Sequence, residues 1–126
     1  MEANSNFPAL HARLQRLIKG LGTEIPETMG GFGKLHKNAV ADGVLSKQTK
    51  ELIALGIAIA GCCDGCIAYH VKDALAAGAT RQEIIETVGV VVMMGGGPAV
   101  VYACQALEAL DQFERESAED KALPAL

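Results

Sequence analysis

The sequence has 126 residues, a length that is most simply a single domain spanning residues 1–126. Half of the residues are hydrophobic, but only 4% are aromatic and none is tryptophan, which suits closely packed helices and indicates some apolar surface buried between subunits. Eleven lysines and arginines against fifteen acidic residues give a net charge of −4 without any basic run, which argues against nucleic acid or an anionic membrane as a partner.

Apolar residues recur at helical spacing along most of the chain, and no segment has a convincing strand pattern. The first helix has Pro8 in its first turn, and the second is weakened by three glycines and stops at Gly43. The third begins near Ser46 and is apolar nearly all round, so we expect it at the centre of the fold. Thr80 and Glu83 predict a capping box at the start of the fifth. The predicted helices span residues 7–21, 27–42, 46–61, 63–77, 80–94 and 99–115.

The predicted fold is therefore all-α: a compact bundle of five to six helices, with a core at about 35–107 and a mobile polar tail from about residue 116. An uncharged segment at 87–107 is long enough to span a bilayer, but the Gly-Gly-Gly-Pro sequence at 95–98 would break it. We predict two buried helices joined by a tight turn instead. The N-terminus lacks a basic segment followed by an apolar one, so we expect no signal peptide and a cytoplasmic protein with reduced thiols.

The stretch GCCDGCIAYH at residues 61–70 places three of the four cysteines next to a histidine. Cys63, Cys66 and His70 are spaced i, i+3 and i+7, so on one helix they lie on one face. In the first turn, helix N–H groups and the helix dipole would favour a thiolate at Cys63 and lower its pKa. A CxxC pair at a helix start allows one thiolate to attack and the other to resolve the product as a disulfide.

Glu51 lies on the preceding helix, twelve residues before Cys63. If the chain reverses near residues 61–62, Glu51 and His70 are level in an antiparallel hairpin, because each helical residue rises about 1.5 Å. Glu51 could then accept a hydrogen bond from His70 and orient the imidazole for proton exchange with a cysteine. The sequence therefore predicts a carboxylate–imidazole–thiol chain that activates a sulfur.

The same four residues also permit a metal site, because thiolates, imidazole and carboxylate are all zinc ligands. Structural zinc clamps usually lie on loops, and the chain has no second CxxC, so the spacing favours a redox pair over a metal site. We expect Cys62 and Cys104 to be ordinary buried residues. We expect His36 at the surface or an interface, with a place in the site as the alternative, and His11 in solvent.

The spacing Glu51, eleven residues, Cys63, two residues, Cys66, three residues, His70 resembles the motif of the AhpD-like branch of the carboxymuconolactone decarboxylase family. The flanking sequence ELIALGIAIAGCCDGCIAYHVKDALAAGATRQEI is similar to that core, and the resemblance covers about residues 35–107. It implies an all-α, oligomeric thiol protein that acts as an alkyl hydroperoxidase or as a disulfide reductant serving a peroxiredoxin. The lactone decarboxylase branch lacks the CxxC, so its chemistry is disfavoured here.

The resemblance also implies roles: Cys66 attacks the peroxide, Cys63 resolves the product, and His70 and Glu51 relay the proton, without cofactor or metal. The helix dipole instead favours Cys63 as the more acidic thiol, so both assignments stay open. Some members have a second histidine where this chain has Gly65, which predicts weaker peroxidase activity. The implied partners are a small hydroperoxide or protein disulfide, a thiol electron donor, and further copies of the chain in a trimer or hexamer. The alternative functions are a non-catalytic oligomeric scaffold, a Cys/His metal-binding member of the same fold, or an enzyme like the lactone decarboxylases.

Overall fold

The computed structural model describes residues 6–122. These residues form six α-helices joined by short connections and contain no β-strand, which confirms the all-α prediction. The helices are α1 (Phe7–Glu24), α2 (Pro26–Val40), α3 (Lys47–Ala60), α4 (Asp64–Ala76), α5 (Arg81–Gly95) and α6 (Gly97–Ala122).

Side-chain caps determine where several of the helices begin. Asn6 and Ser46 each accept a hydrogen bond from a backbone N–H three residues further on, at the starts of α1 and α3. At α5, Thr80 and Glu83 form the predicted capping box, in which each side chain accepts a hydrogen bond from the other residue's backbone N–H. Such caps satisfy N–H groups that have no partner within the helix, and each contributes about 1 kcal/mol.

The core lies where α3 packs against α4, α5 and α6. Leu55 and Ile59 of α3, Ile67 of α4 and Ile84 of α5 are fully buried there, so α3 has the central position that its sequence predicts. The first helix packs on α4 and α6, and its Phe7 is also fully buried. The α3–α4 hairpin therefore packs against α1, α5 and α6, and this packing restricts the positions of its side chains.

The second helix lies at the edge of the bundle. It contacts α1 and, less extensively, α3, and none of its residues is buried. Its glycines at positions 30, 31 and 33 have no neighbouring side chain close to where a Cβ would lie. Phe32 and Leu35 are 61% and 63% exposed, so the apolar face of α2 has no partner within a single chain.

The Gly-Gly-Gly-Pro sequence separates α5 from α6, as predicted. Gly96 has a φ of 67°, a left-handed conformation that glycine adopts without steric cost, and α6 begins at the next residue. The predicted end of the last helix near residue 115 is wrong, because residues 116–122 continue α6. This segment contains two glutamates, two alanines and one lysine, which favour helix, and it contains no proline. Residues 123–126 lie outside the described residues. No helix within residues 6–122 is both long and apolar enough to cross a membrane.

Candidate redox site

The two cysteines of the CxxC sequence meet at the start of α4. Cys63 is the N-cap residue and Cys66 lies in the first turn, and their sulfurs are joined in a disulfide with Cα atoms 5.2 Å apart. The backbone N–H of Cys66 points at Cys63 Sγ, 3.2 Å away. Once the disulfide is reduced, this N–H and the positive end of the helix dipole are placed to stabilise a thiolate at Cys63. Cys66 is the more exposed of the two residues.

The turn before the pair leaves Cys62 at the surface. Cys62 has a φ of 57°, the left-handed conformation that is uncommon for residues other than glycine, and its side chain is exposed at the end of the hairpin. Cys104, on α6, is exposed as well. The prediction that both would be buried is wrong: Cys62 sits at the tip of a turn, and the part of α6 around Cys104 has exposed Val100 and Val101 beside it.

Glu51 and His70 meet across the α3–α4 hairpin, as their level positions predict. His70 Nδ1 lies 3.3 Å from Glu51 Oε1, although the two residues are 19 positions apart in sequence. Glu51 is only 1% exposed, whereas the His70 side chain is 22% exposed. A hydrogen bond through Nδ1 holds the imidazole in one orientation and leaves Nε2 for proton exchange. Cys66 lies one turn before His70 on the same helix.

Gly65 lacks a side chain where α1 crosses the start of α4. A Cβ added at Gly65 would lie 2.8 Å from Cδ1 of Leu14, closer than real Cβ contacts come. The space that a side chain at position 65 would occupy is therefore filled by the side chain of Leu14. His70 is the single histidine on α4.

His11, also on α1, is buried against α4 and α6, so the prediction that it is solvated is wrong. Its ring packs on Tyr69 with centroids 4.5 Å apart, and Phe113 meets it edge-on at 6.1 Å. Burial lowers the pKa of His11, and the nearby Lys72 lowers it further. Burial also raises the pKa of Tyr69. These contacts fix α1 against the helix that contains the cysteines.

One acidic residue of the site was not predicted from the sequence. Asp73, one turn after His70 on α4, offers a carboxylate oxygen within 4.8 Å of ligand atoms of both Glu51 and His36. His36 is exposed on α2, as predicted, yet it also reaches the site. The signal available in the sequence was the i, i+3 spacing of His70 and Asp73, which puts them on neighbouring positions of one helix face.

A profile of the carboxymuconolactone decarboxylase family matches residues 26–109, which include the cysteine pair and the Glu51–His70 contact. The chain belongs to this family. Helix α1, which contributes Leu14 and His11, lies before the segment that the profile matches. The family is named after a decarboxylase and so includes enzymes.

Two solved structures show the same fold. A carboxymuconolactone decarboxylase family protein from Legionella pneumophila is 43% identical, with a TM-score of 0.82, and the match covers 85% of this chain and 96% of that one. A family member from Thermotoga maritima, thought to act in an antioxidative response, is 26% identical with a TM-score of 0.68 over 73% of this chain and 95% of that one. An uncharacterised protein of Cupriavidus necator is 38% identical over 98 residues, 78% of this chain and 87% of its own.

Proposed function

We propose that this protein is a thiol-dependent alkyl hydroperoxide reductase or disulfide oxidoreductase, in which Cys63 and Cys66 cycle between dithiol and disulfide. The observation that supports it best is the position of this pair at the start of α4, one turn from an imidazole held by the buried Glu51. A sulfur pair, a proton carrier and a carboxylate that orients the carrier are the groups that thiol chemistry needs.

In the proposed reaction, the thiolate of Cys66 attacks the terminal oxygen of the hydroperoxide and the O–O bond breaks. Cys66 becomes a sulfenic acid, and the departing alkoxide takes the proton that His70 had received from the thiol. The thiolate of Cys63 then attacks the sulfenic sulfur, forming the disulfide and releasing hydroxide, which is protonated to water. The thiol pair has lost two electrons, and the hydroperoxide has become an alcohol and water.

The burial of the two cysteines supports Cys66 as the attacking residue. Cys66 is exposed to an incoming peroxide, whereas Cys63 is partly buried at the N-cap position. The N–H of Cys66 that points at Cys63 Sγ favours a thiolate at Cys63, which suits a resolving residue as well. Glu51, held on α3, keeps His70 in the orientation in which Nε2 is available.

The same proposal includes a substrate, a reductant and an oligomeric state. The substrate is a small hydroperoxide or a protein disulfide, such as that of a peroxiredoxin, and an external thiol of the reducing cytoplasm restores the dithiol. The active form is a homo-oligomer, a trimer or a hexamer. Its support is the large apolar side chains exposed on a single chain, including Ile57, Val90 and Met93 at 68%, 58% and 73% exposure.

The test is mass spectrometry of the reduced protein after one equivalent of an alkyl hydroperoxide. We expect a loss of two hydrogens in a peptide that links Cys63 to Cys66, with equal yield when Cys62 and Cys104 are both replaced by serine. Trapping the sulfenic acid in the Cys63→Ser variant, but not in Cys66→Ser, would identify the attacking sulfur. A link between Cys62 and Cys104 instead, or an unchanged thiol count, would contradict the proposal and favour a non-catalytic scaffold.

A further inference from the structure

Three helices bring a histidine and two carboxylates together beside the redox site. His36 of α2, Glu51 of α3 and Asp73 of α4 each offer one ligand atom, and these atoms lie within 4.8 Å of one another. The three residues differ in burial: Glu51 is buried, Asp73 is partly buried and His36 is exposed. The group therefore opens to solvent through α2 while its innermost member is shielded from water.

Among residues 6–122, no lysine or arginine offsets the charge of the two carboxylates. The ion pairs among residues 6–122 are His70 with Glu51, and Arg81 with Asp111 and Glu114. Neither a lysine nor an arginine of this part of the chain lies within ion-pair distance of Glu51 or Asp73. Glu51 uses Oε1 in its contact with His70, and no hydrogen bond to a described residue involves Oε2. Two adjacent carboxylates, one of them buried, repel each other unless a proton or a cation lies between them.

We propose that His36, Glu51 and Asp73 bind a divalent transition-metal ion. One imidazole nitrogen and two carboxylate oxygens suit Zn²⁺, Mn²⁺, Fe²⁺ or Co²⁺, and the ion supplies the positive charge that the two acids lack. This ligand set differs from the cysteine-containing one that the sequence permits, because Cys63 and Cys66 pair with each other and neither belongs to the group.

Any inward movement that binding requires is small, and α2 can supply it. Metal bonds to nitrogen and oxygen are about 2.0–2.2 Å long, so two ligand atoms of one ion lie at most about 4.4 Å apart, and the three atoms here already lie within 4.8 Å of one another. The helix that contributes His36 has no buried residue, and three glycines of α2 lie in open space. This helix can shift toward Glu51 and Asp73 without disturbing the core.

A metal at this position affects the thiol chemistry, a consequence that rests on the proposed function. Glu51 would ligate the ion with the carboxylate that otherwise orients His70. Metal binding would therefore slow the reaction of Cys66, which makes the site inhibitory.

The experiment measures metal binding directly, in full-length protein whose Cys62 and Cys104 are replaced by serine and whose Cys63 and Cys66 are oxidised. No free thiol then remains to bind metal. In titrations with Co²⁺, we expect about one ion per chain, with visible bands from nitrogen and oxygen ligands and no thiolate charge-transfer band. His36→Ala and Asp73→Asn should each lower the affinity by more than about tenfold, in the range seen when a metal site loses a supporting group.

The matched control is Glu86→Gln, which removes an exposed carboxylate of α5 outside the group and should leave the affinity unchanged. Circular dichroism of each metal-free variant establishes that its helices are intact. Failure to bind Co²⁺ at millimolar concentration would overturn the proposal, as would unchanged affinity in both His36→Ala and Asp73→Asn. Neither result bears on the peroxide test, because that test follows the link between Cys63 and Cys66 in protein without added metal.

Discussion

Leu14 of α1 lies directly over Gly65 of α4, with Cδ1 2.8 Å from the place that a Cβ at Gly65 would occupy. The glycine is next to Cys66, and the leucine belongs to a helix outside the segment that matches the family profile. Helix α1 therefore limits the size of the side chain that can stand beside the cysteine pair.

This contact predicts that substitutions at Gly65 and Leu14 are strongly coupled. Gly65→Ala adds a methyl group that must displace Leu14, whereas in a Leu14→Ala background the same methyl group has room and benefits from the better helix propensity of alanine. We expect Gly65→Ala to be more favourable by about 1 kcal/mol in the Leu14→Ala background than in the wild type. Urea unfolding of the four proteins at one chain concentration measures this difference. Additive effects would show that the two residues do not compete for space.

The relay predicts that Glu51 and His70 tune the reactivity of Cys66. Glu51→Gln should leave the fold largely intact yet raise the thiol pKa, and His70→Ala should raise it further, because the thiolate loses its imidazolium partner. The rate of peroxide reduction should fall by about 10²–10⁴ when the histidine is removed. The measurement is the pH dependence of Cys66 alkylation in reduced protein with Cys62 and Cys104 replaced by serine. Glu86→Gln serves as the control, and coincident curves for all variants would exclude a relay.

We expect the buried His11 to make the free energy of unfolding depend on pH, and its substitution should reduce this dependence. Burial lowers the pKa of His11 in the folded state, followed in importance by Lys72, so the unfolded chain binds the proton more readily. The free energy of unfolding should fall as the pH drops from about 6.5 toward the lowered pKa, and His11 should contribute no pH dependence above that range. Urea midpoints at several pH values check this. The fall should be smaller in His11→Phe, which keeps the aromatic packing without a titrating group. Equal pH dependence in both proteins would mean that His11 does not contribute.

The exposed apolar residues predict self-association. Light scattering at micromolar concentration should give at least three times the 13.2 kDa mass of one chain. Met93→Asp places a charge on an apolar face of α5, where Met93 is 73% exposed, and should shift the protein toward smaller species. Gln82→Asp adds the same charge at the polar start of that helix and should leave the mass unchanged. A mass near that of one chain for the wild type would contradict the oligomer.

Features set by local spacing could be predicted from the sequence. The helices, the caps at Ser46 and Thr80, and the break at residues 95–98 depend on hydrogen bonds and periodicity within a few residues. The contact between Glu51 and His70 could also be predicted from the sequence. Once two helices are joined by a short turn, their rise per residue determines which positions are level.

Contacts between helices distant in sequence depended on the tertiary structure. Leu14 and His11 have ordinary helical positions in α1, and only the packing of α1 on α4 places them against Gly65 and Tyr69. Asp73 likewise needed α2 and α3 beside it to face both a histidine and a second carboxylate. Helical periodicity shows which residues share a face, but the face that a neighbouring helix covers is decided by the packing of all six helices together.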